Sequence, residues 1–170
     1  SFVPLMGINI GVISLMGRFV GARDMARTDE VIFAGFLIAL CYSSFLAVCF
    51  ILFREPLVNV FVTPDGDFDE IRKLSTFMMV GMASYVMADA IILISGGVLR
   101  GAGDTRWLMY SAIIQRWIQL LIQYFVIVIY ELSAEVSWLV FVASIIINAV
   151  IYFVRLRGGK WRTQEALNKV

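Results

Sequence analysis

Histidine is absent from these 170 residues, so no imidazole metal site and no imidazole proton relay exists. Charge is scarce as well. Asp, Glu, Lys and Arg make up 16% of the chain, against about 25% in an ordinary soluble domain. The two cysteines, Cys41 and Cys49, lie on one apolar run. Eight residues of helix set them about 12 Å apart, too far for a disulfide, and they read as small apolar fillers. The formal net charge of +1 gives no electrostatic case for a nucleic-acid or acidic partner. Ser1 is not a start methionine, and no basic n-region or small-residue cleavage site precedes the first apolar run. The expectation is a chain without a signal peptide and short of its N-terminal part.

What the sequence does have is apolar surface. Hydrophobic residues make up 61% and the mean hydropathy is +0.87, beyond what a soluble fold of this size can bury. Five apolar runs stand out, at about 2–20, 31–53, 74–99, 107–130 and 136–154. Each is near or above the roughly 20 residues that carry a helix across about 30 Å of hydrocarbon. The expectation is an all-α, polytopic bundle of about five transmembrane helices over residues 1–157, followed by a tail at 158–170.

The breaks between runs carry turn chemistry. Gly21-Ala22-Arg23-Asp24 ends the first, Arg54-Glu55-Pro56 the second and Gly101-Ala102-Gly103-Asp104 the third. A polar connection with a turn at Pro64-Asp65-Gly66-Asp67 precedes the third run, and Glu131 to Glu135 separates the last two. The apolar stretch Pro56–Thr63 is too short to span and reads as a helix end or an interfacial turn. Trp107, Tyr130, Trp138 and Trp161 fall near helix ends, where interfacial aromatics belong.

Lysine and arginine set orientation. One side collects Arg18, Arg23, Arg27, Arg100, Arg106, Arg155, Arg157, Lys160, Arg162 and Lys169; the other has Arg54, Arg72 and Lys73. The ten-residue side, with the C-terminal tail, is expected in the cytoplasm, which puts Ser1 outside. The opposite connection holds Asp65, Asp67, Asp69 and Glu70, which count for little in this rule.

Two charges fall inside spans. Asp89 lies mid-helix in the third, and Tyr85 precedes it by one turn on the same face. A carboxylate at that depth costs about 2.5–3.5 kcal/mol on insertion scales, so it belongs in a bundle interior or beside water. Asp89 and Tyr85 together offer two oxygens to a hard cation, or a protonatable site; the plainer reading is a helix–helix hydrogen bond. Arg116, Gln119 and Gln123 form a polar stripe on the fourth helix, suited to a cavity or to a packing network. Counting from Arg100 and Arg106 puts Asp89 and Arg116 about 16 Å and 15 Å into the membrane. They therefore sit level on consecutive antiparallel helices, and a direct or water-bridged pair is expected.

A milder stripe of Ser144, Asn148 and Tyr152 follows on the fifth helix and favours interhelical packing, with Asn148 a further cavity candidate. Gly7, Gly11, Ser14 and Gly21 give the first helix a small-residue face, and Asn9 is a further cavity candidate there. Leu99 to Arg106 lacks the Gly-Lys-Ser/Thr ending and the preceding strand of a phosphate loop, so a tight turn is the better reading. No catalytic constellation emerges, and the chain is read as something other than an enzyme.

The same segment, Gly97-Val98-Leu99-Arg100-Gly101-Ala102-Gly103-Asp104-Thr105-Arg106, resembles the LRGxGDTR signature of the multidrug and toxic compound extrusion (MATE) transporters. Gly17 to Asp24 resembles that family's VGxxxGAxD segment, and Pro56 to Thr63 with Asp65 its PLxxLFTxD segment. The resemblance runs over essentially the whole chain. It implies the second of two six-helix lobes, starting at the family's eighth span, with the first lobe and the seventh span missing.

By the same resemblance the whole protein would sit in the inner (plasma) membrane. It would export small organic, often cationic, compounds in exchange for Na⁺ or H⁺, with no other cofactor, by rocking one lobe against the other. Asp89 then resembles the aspartate that, in sodium-coupled bacterial members, helps bind the coupling cation with a glutamate of the seventh span. One departure concerns the fourth run. The family often has Gly and Pro between an aromatic-Trp pair and a Tyr; Trp117 and Tyr124 align, but Leu120 and Ile122 stand between them and Arg116 is unusual there. Two other readings are a flippase for lipid-linked precursors in the same superfamily and a membrane subunit that only scaffolds partners.

Overall fold

The computed structural model describes residues 2–59, 69–130 and 133–162. The turn read at Pro64–Asp67, with Asp65, lies outside these residues, as do Glu131 and the tail from Thr163 to Val170 with Lys169. Among the described residues every regular element is helical: α1 (Phe2–Gly21), α2 (Met25–Leu52), α3 (Arg54–Asn59), α4 (Asp69–Gly101), α5 (Thr105–Tyr124) and α6 (Ala134–Arg157). A π turn (Phe125–Ile129) extends α5, and a 3₁₀ turn (Lys160–Arg162) follows α6. Five helices are long and apolar enough to cross a membrane. The short stretch after the second run forms α3, set off from α2 by a break at Phe53.

The first and third turns are one device used twice. After α1 the amides of Asp24 and Arg23 donate back to the Phe19 and Val20 carbonyls; after α4 those of Asp104 and Gly103 donate to Leu99 and Arg100. This Schellman pattern needs a left-handed residue just past the helix. Gly103 meets that need freely at φ 83°, whereas Arg23 adopts φ 59° at a cost of about 1 kcal/mol. Each turn then offers an aspartate to the next helix. Asp24 caps α2 by accepting from the Arg27 amide. Asp104 makes no such cap, because its carboxylate is held by Arg155.

α4 is the central post, packed against α1, α2 and α6. In lipid, apolar burial does not drive helices together, so close packing must do it. Glycines supply the close approach: a Cβ on Gly101 would lie 2.8 Å from the Ile13 carbonyl, and one on Gly97 would collide with the Asn9 side chain. Asn9 is therefore a packing residue, 3% exposed. Leu5, Val12, Met16 and Val20 of α1 meet Ala90, Ile94, Val98 and Leu99 of α4 in one buried cluster. Trp161 joins it at 1% exposure, its indole N–H donating to the Leu156 carbonyl. It follows the end of α6, as expected, and folds back against the bundle after a reversal at Gly159, φ 63°.

The strongly basic connections share one end of the bundle. Gly17 near the end of α1 abuts Gly101, Arg155 of α6 reaches Asp104, and Arg162 pairs with Asp29 of α2.

Candidate functional site

The spacing of α4 places Tyr85, Asp89, Ile92, Leu93, Gly96 and Arg100 on one face, with steps of three or four residues apart from the adjacent Ile92 and Leu93. That face looks into a cavity of about 420 Å³. α5 closes it with Ala112, Gln115, Arg116 and Gln119, and α6 with Asn148 and Tyr152. The lining holds one carboxylate, two guanidinium groups, three amides and two phenols. Asn148 Oδ1 is buried there without a hydrogen-bond partner.

Both ends of this cavity are braced by aromatic rings. At the deep end Tyr85 stacks on Phe141 with centroids 6.0 Å apart, and Phe141 stacks on Trp138 at 5.6 Å. Trp138 in turn seats over Gly81, where a Cβ would meet its ring. At the basic end Arg155 binds Asp104 Oδ2 through Nη2 at 2.6 Å and Nε at 3.0 Å. The same guanidinium lies 5.1 Å above the Trp107 ring. Trp107 packs edge-on against Tyr152 at 5.4 Å, and the Ser111 hydroxyl donates to the Tyr152 oxygen at 3.5 Å. A continuous chain of contacts thus runs from the α4–α5 turn to a cavity wall.

Asp89, Tyr85, Arg116, Gln119 and Asn148 are brought together in this one space. The direct Asp89–Arg116 pair is not made. The ion pairs among the described residues are Arg27–Asp24, Arg155–Asp104 and Arg162–Asp29. Equal depth brought the two charges to one cavity, but α5 stands off from α4 and leaves room between them.

Gln123 is the exception in the stripe. It donates to the Ser137 carbonyl at 3.1 Å and accepts from the Ser137 hydroxyl at 2.7 Å, which makes it a clamp between α5 and α6. Ser144 donates to the Phe141 carbonyl of its own helix. Arg100, Gln115 and Gly96 were not foreseen as lining residues; counting turns back from Asp89 and Arg116 would have found all three. Asp89, Tyr85, Gln119 and Asn148 each bring a side-chain oxygen to the lining of this cavity. Among the described residues no group of three or more Asp, Glu, Cys or His is placed to hold a metal ion.

A polytopic helical chain with a charged cavity between three of its spans defines a membrane protein with an internal polar cavity. A family model described as MatE matches residues 1–125, and the chain belongs to that family. It is 30% identical over 170 residues to a probable multidrug resistance protein NorM of Thermotoga maritima, covering 99% of this chain and 36% of that protein. A multidrug resistance protein MdtK of Photorhabdus laumondii is 25% identical over 157 residues, covering 89% of this chain and 34% of that protein. A probable NorM of Pasteurella multocida is 24% identical over 164 residues, with 92% and 34% covered. The chain thus spans about a third of the length of these relatives. No solved structure gave a significant match.

Proposed function

We propose that this chain is the larger part of the second lobe of a cation-coupled antiporter that exports small organic compounds, and that Asp89 receives the coupling Na⁺ or H⁺. One observation carries the reading: the carboxylate at mid-depth in α4 opens onto a polar cavity instead of being consumed by a neighbouring helix. A half-buried carboxylate kept free of a direct partner suits an exchange site, because a cation can enter and leave without breaking a packed ion pair. Arg116 faces the same space, so a cation arriving at Asp89 weakens the attraction between that carboxylate and α5. The binding state of Asp89 thereby biases how α5 packs. The other lobe completes the path, and the protein sits multi-pass in the inner membrane with its basic end and C-terminus cytoplasmic. A cysteine at Lys160 should then be labelled from the cytoplasmic face; labelling from outside reverses the orientation.

The decisive test is Asp89→Asn in the complete protein, reconstituted in liposomes under Na⁺ or proton gradients with a fluorescent cation as cargo. Gradient-driven efflux should be lost while membrane insertion and yield are kept. Wild-type efflux from the Asn variant would reduce Asp89 to a structural role.

A further inference from the structure

The charge count of the cavity does not balance. Its lining holds Asp89 against Arg100 and Arg116. Elsewhere Arg27, Arg155 and Arg162 each have an aspartate partner, whereas among the described residues the side chains of Arg100 and Arg116 take part in no ion pair or side-chain hydrogen bond. Arg116 sits about ten residues, or roughly 15 Å, inside the basic end, where a guanidinium whose counter-charge in the cavity, Asp89, makes no direct ion pair with it is expensive. A coupling cation on Asp89 removes the cavity's negative charge and leaves two positive ones. A purely cationic cargo therefore meets net repulsion in one half of the cycle and a single carboxylate in the other.

We propose that the cavity recognises a carboxylate on its organic cargo, held by Arg116 with Arg100 nearer the mouth, while any cationic part of the cargo lies toward Asp89. Arg116 is the specificity-determining residue in this arrangement, because a guanidinium grips a carboxylate through two parallel N–H donors. Arg100 approaches from α4, more than two turns nearer the basic end than Asp89. The free Asn148 oxygen and the Gln115 amide add polar contacts on the remaining walls. Selection by charge then follows from cavity geometry: a zwitterion satisfies both halves, and its cationic part is displaced when the coupling ion takes Asp89. The proposal rests on the cavity being the cargo path.

The test uses two dyes that share one cationic xanthene and differ in one group: rhodamine 110, with a free carboxylate, and its methyl ester, rhodamine 123. Binding to the complete, detergent-purified protein is read by fluorescence anisotropy, without any gradient. The wild type should favour the acid over the ester by about tenfold or more, the scale of a charge-assisted hydrogen bond. Arg116→Gln should bring that ratio close to one, and Arg116→Lys should restore part of it. Equal binding of acid and ester by the wild type, or a preference unchanged in Arg116→Gln, overturns the proposal. Loss of the preference on adding phosphatidylglycerol would identify a lipid phosphate as the occupant and overturn it equally. Failure of both dyes to bind would overturn the cargo-path reading itself, whereas Asp89→Asn tests coupling without bearing on the acid-to-ester ratio of the wild type.

Discussion

Helices α4 and α5 are consecutive and joined by the three residues Ala102, Gly103 and Asp104, yet their surroundings are opposite. α4 buries Ala83, Val86, Ala88, Ala90, Ile94, Ser95, Val98 and Leu99 among three neighbours. α5 buries Leu108 alone and turns Ile113, Ile114, Trp117, Ile118 and Leu121 outward. Both helices contribute a polar face to the same cavity. One wall of the site is thus fixed by the fold and the other is held by a few polar contacts at its ends. The difference assigns most of the packing to α4, and the proposed selectivity at Arg116 falls on the less buried α5. Substitutions on the buried face of α4 should unfold the protein, and those on α5 should retune it.

The sharpest way to break this comparison is a matched pair of substitutions in the complete protein. Gly101→Leu forces a side chain into the α1 backbone and should cost about 3 kcal/mol. Ile118→Ala, on a residue 51% exposed, should stay within about 0.5 kcal/mol. Thermal unfolding in detergent reads both, and equal shifts would end the distinction. A smaller effect is expected at the joint between the helices. Asp104→Ala removes the acceptor of Arg155 and should cost about 2 kcal/mol, with extra mobility at Trp107 visible as broader tryptophan emission. Smallest is the far clamp: Gln123→Leu loses two hydrogen bonds to Ser137 and should cost about 0.6 kcal/mol. A loss there as large as at Gly101 would mean that α5 is as firmly built in as α4.

The contrast also explains what could be read from residues alone. Apolar runs and Gly-Ala-x-Asp turns located the helices, because hydrocarbon thickness and left-handed turn residues are local constraints. Axial counting brought Asp89 and Arg116 to one level, since rise per residue is fixed. Axial counting says nothing of lateral distance, and of the two arrangements expected, direct or water-bridged, the direct pair is not made: the gap between α4 and α5 depends on packing partners far along the chain. Gln123 deviated for the same reason, its partner Ser137 being set by how α6 returns. The burial of Trp161 depends on Gly159 reversing the chain, which no hydrophobic pattern encodes.

The π turn at Phe125–Ile129, where the Tyr130 amide donates to the Phe125 carbonyl at 3.0 Å, has a consequence for descent. A π turn carries one residue more than the α turn it replaces. Deleting a single residue between 125 and 129 returns it to α geometry, and residues 105–124 keep their phase toward the cavity. A one-residue change in chain length can therefore be absorbed inside a membrane helix, where it would ordinarily rotate every following side chain off its face. Gaps in this family that fall at this point should be silent, whereas the same gap between residues 106 and 115 would turn Arg116 and Gln119 toward lipid.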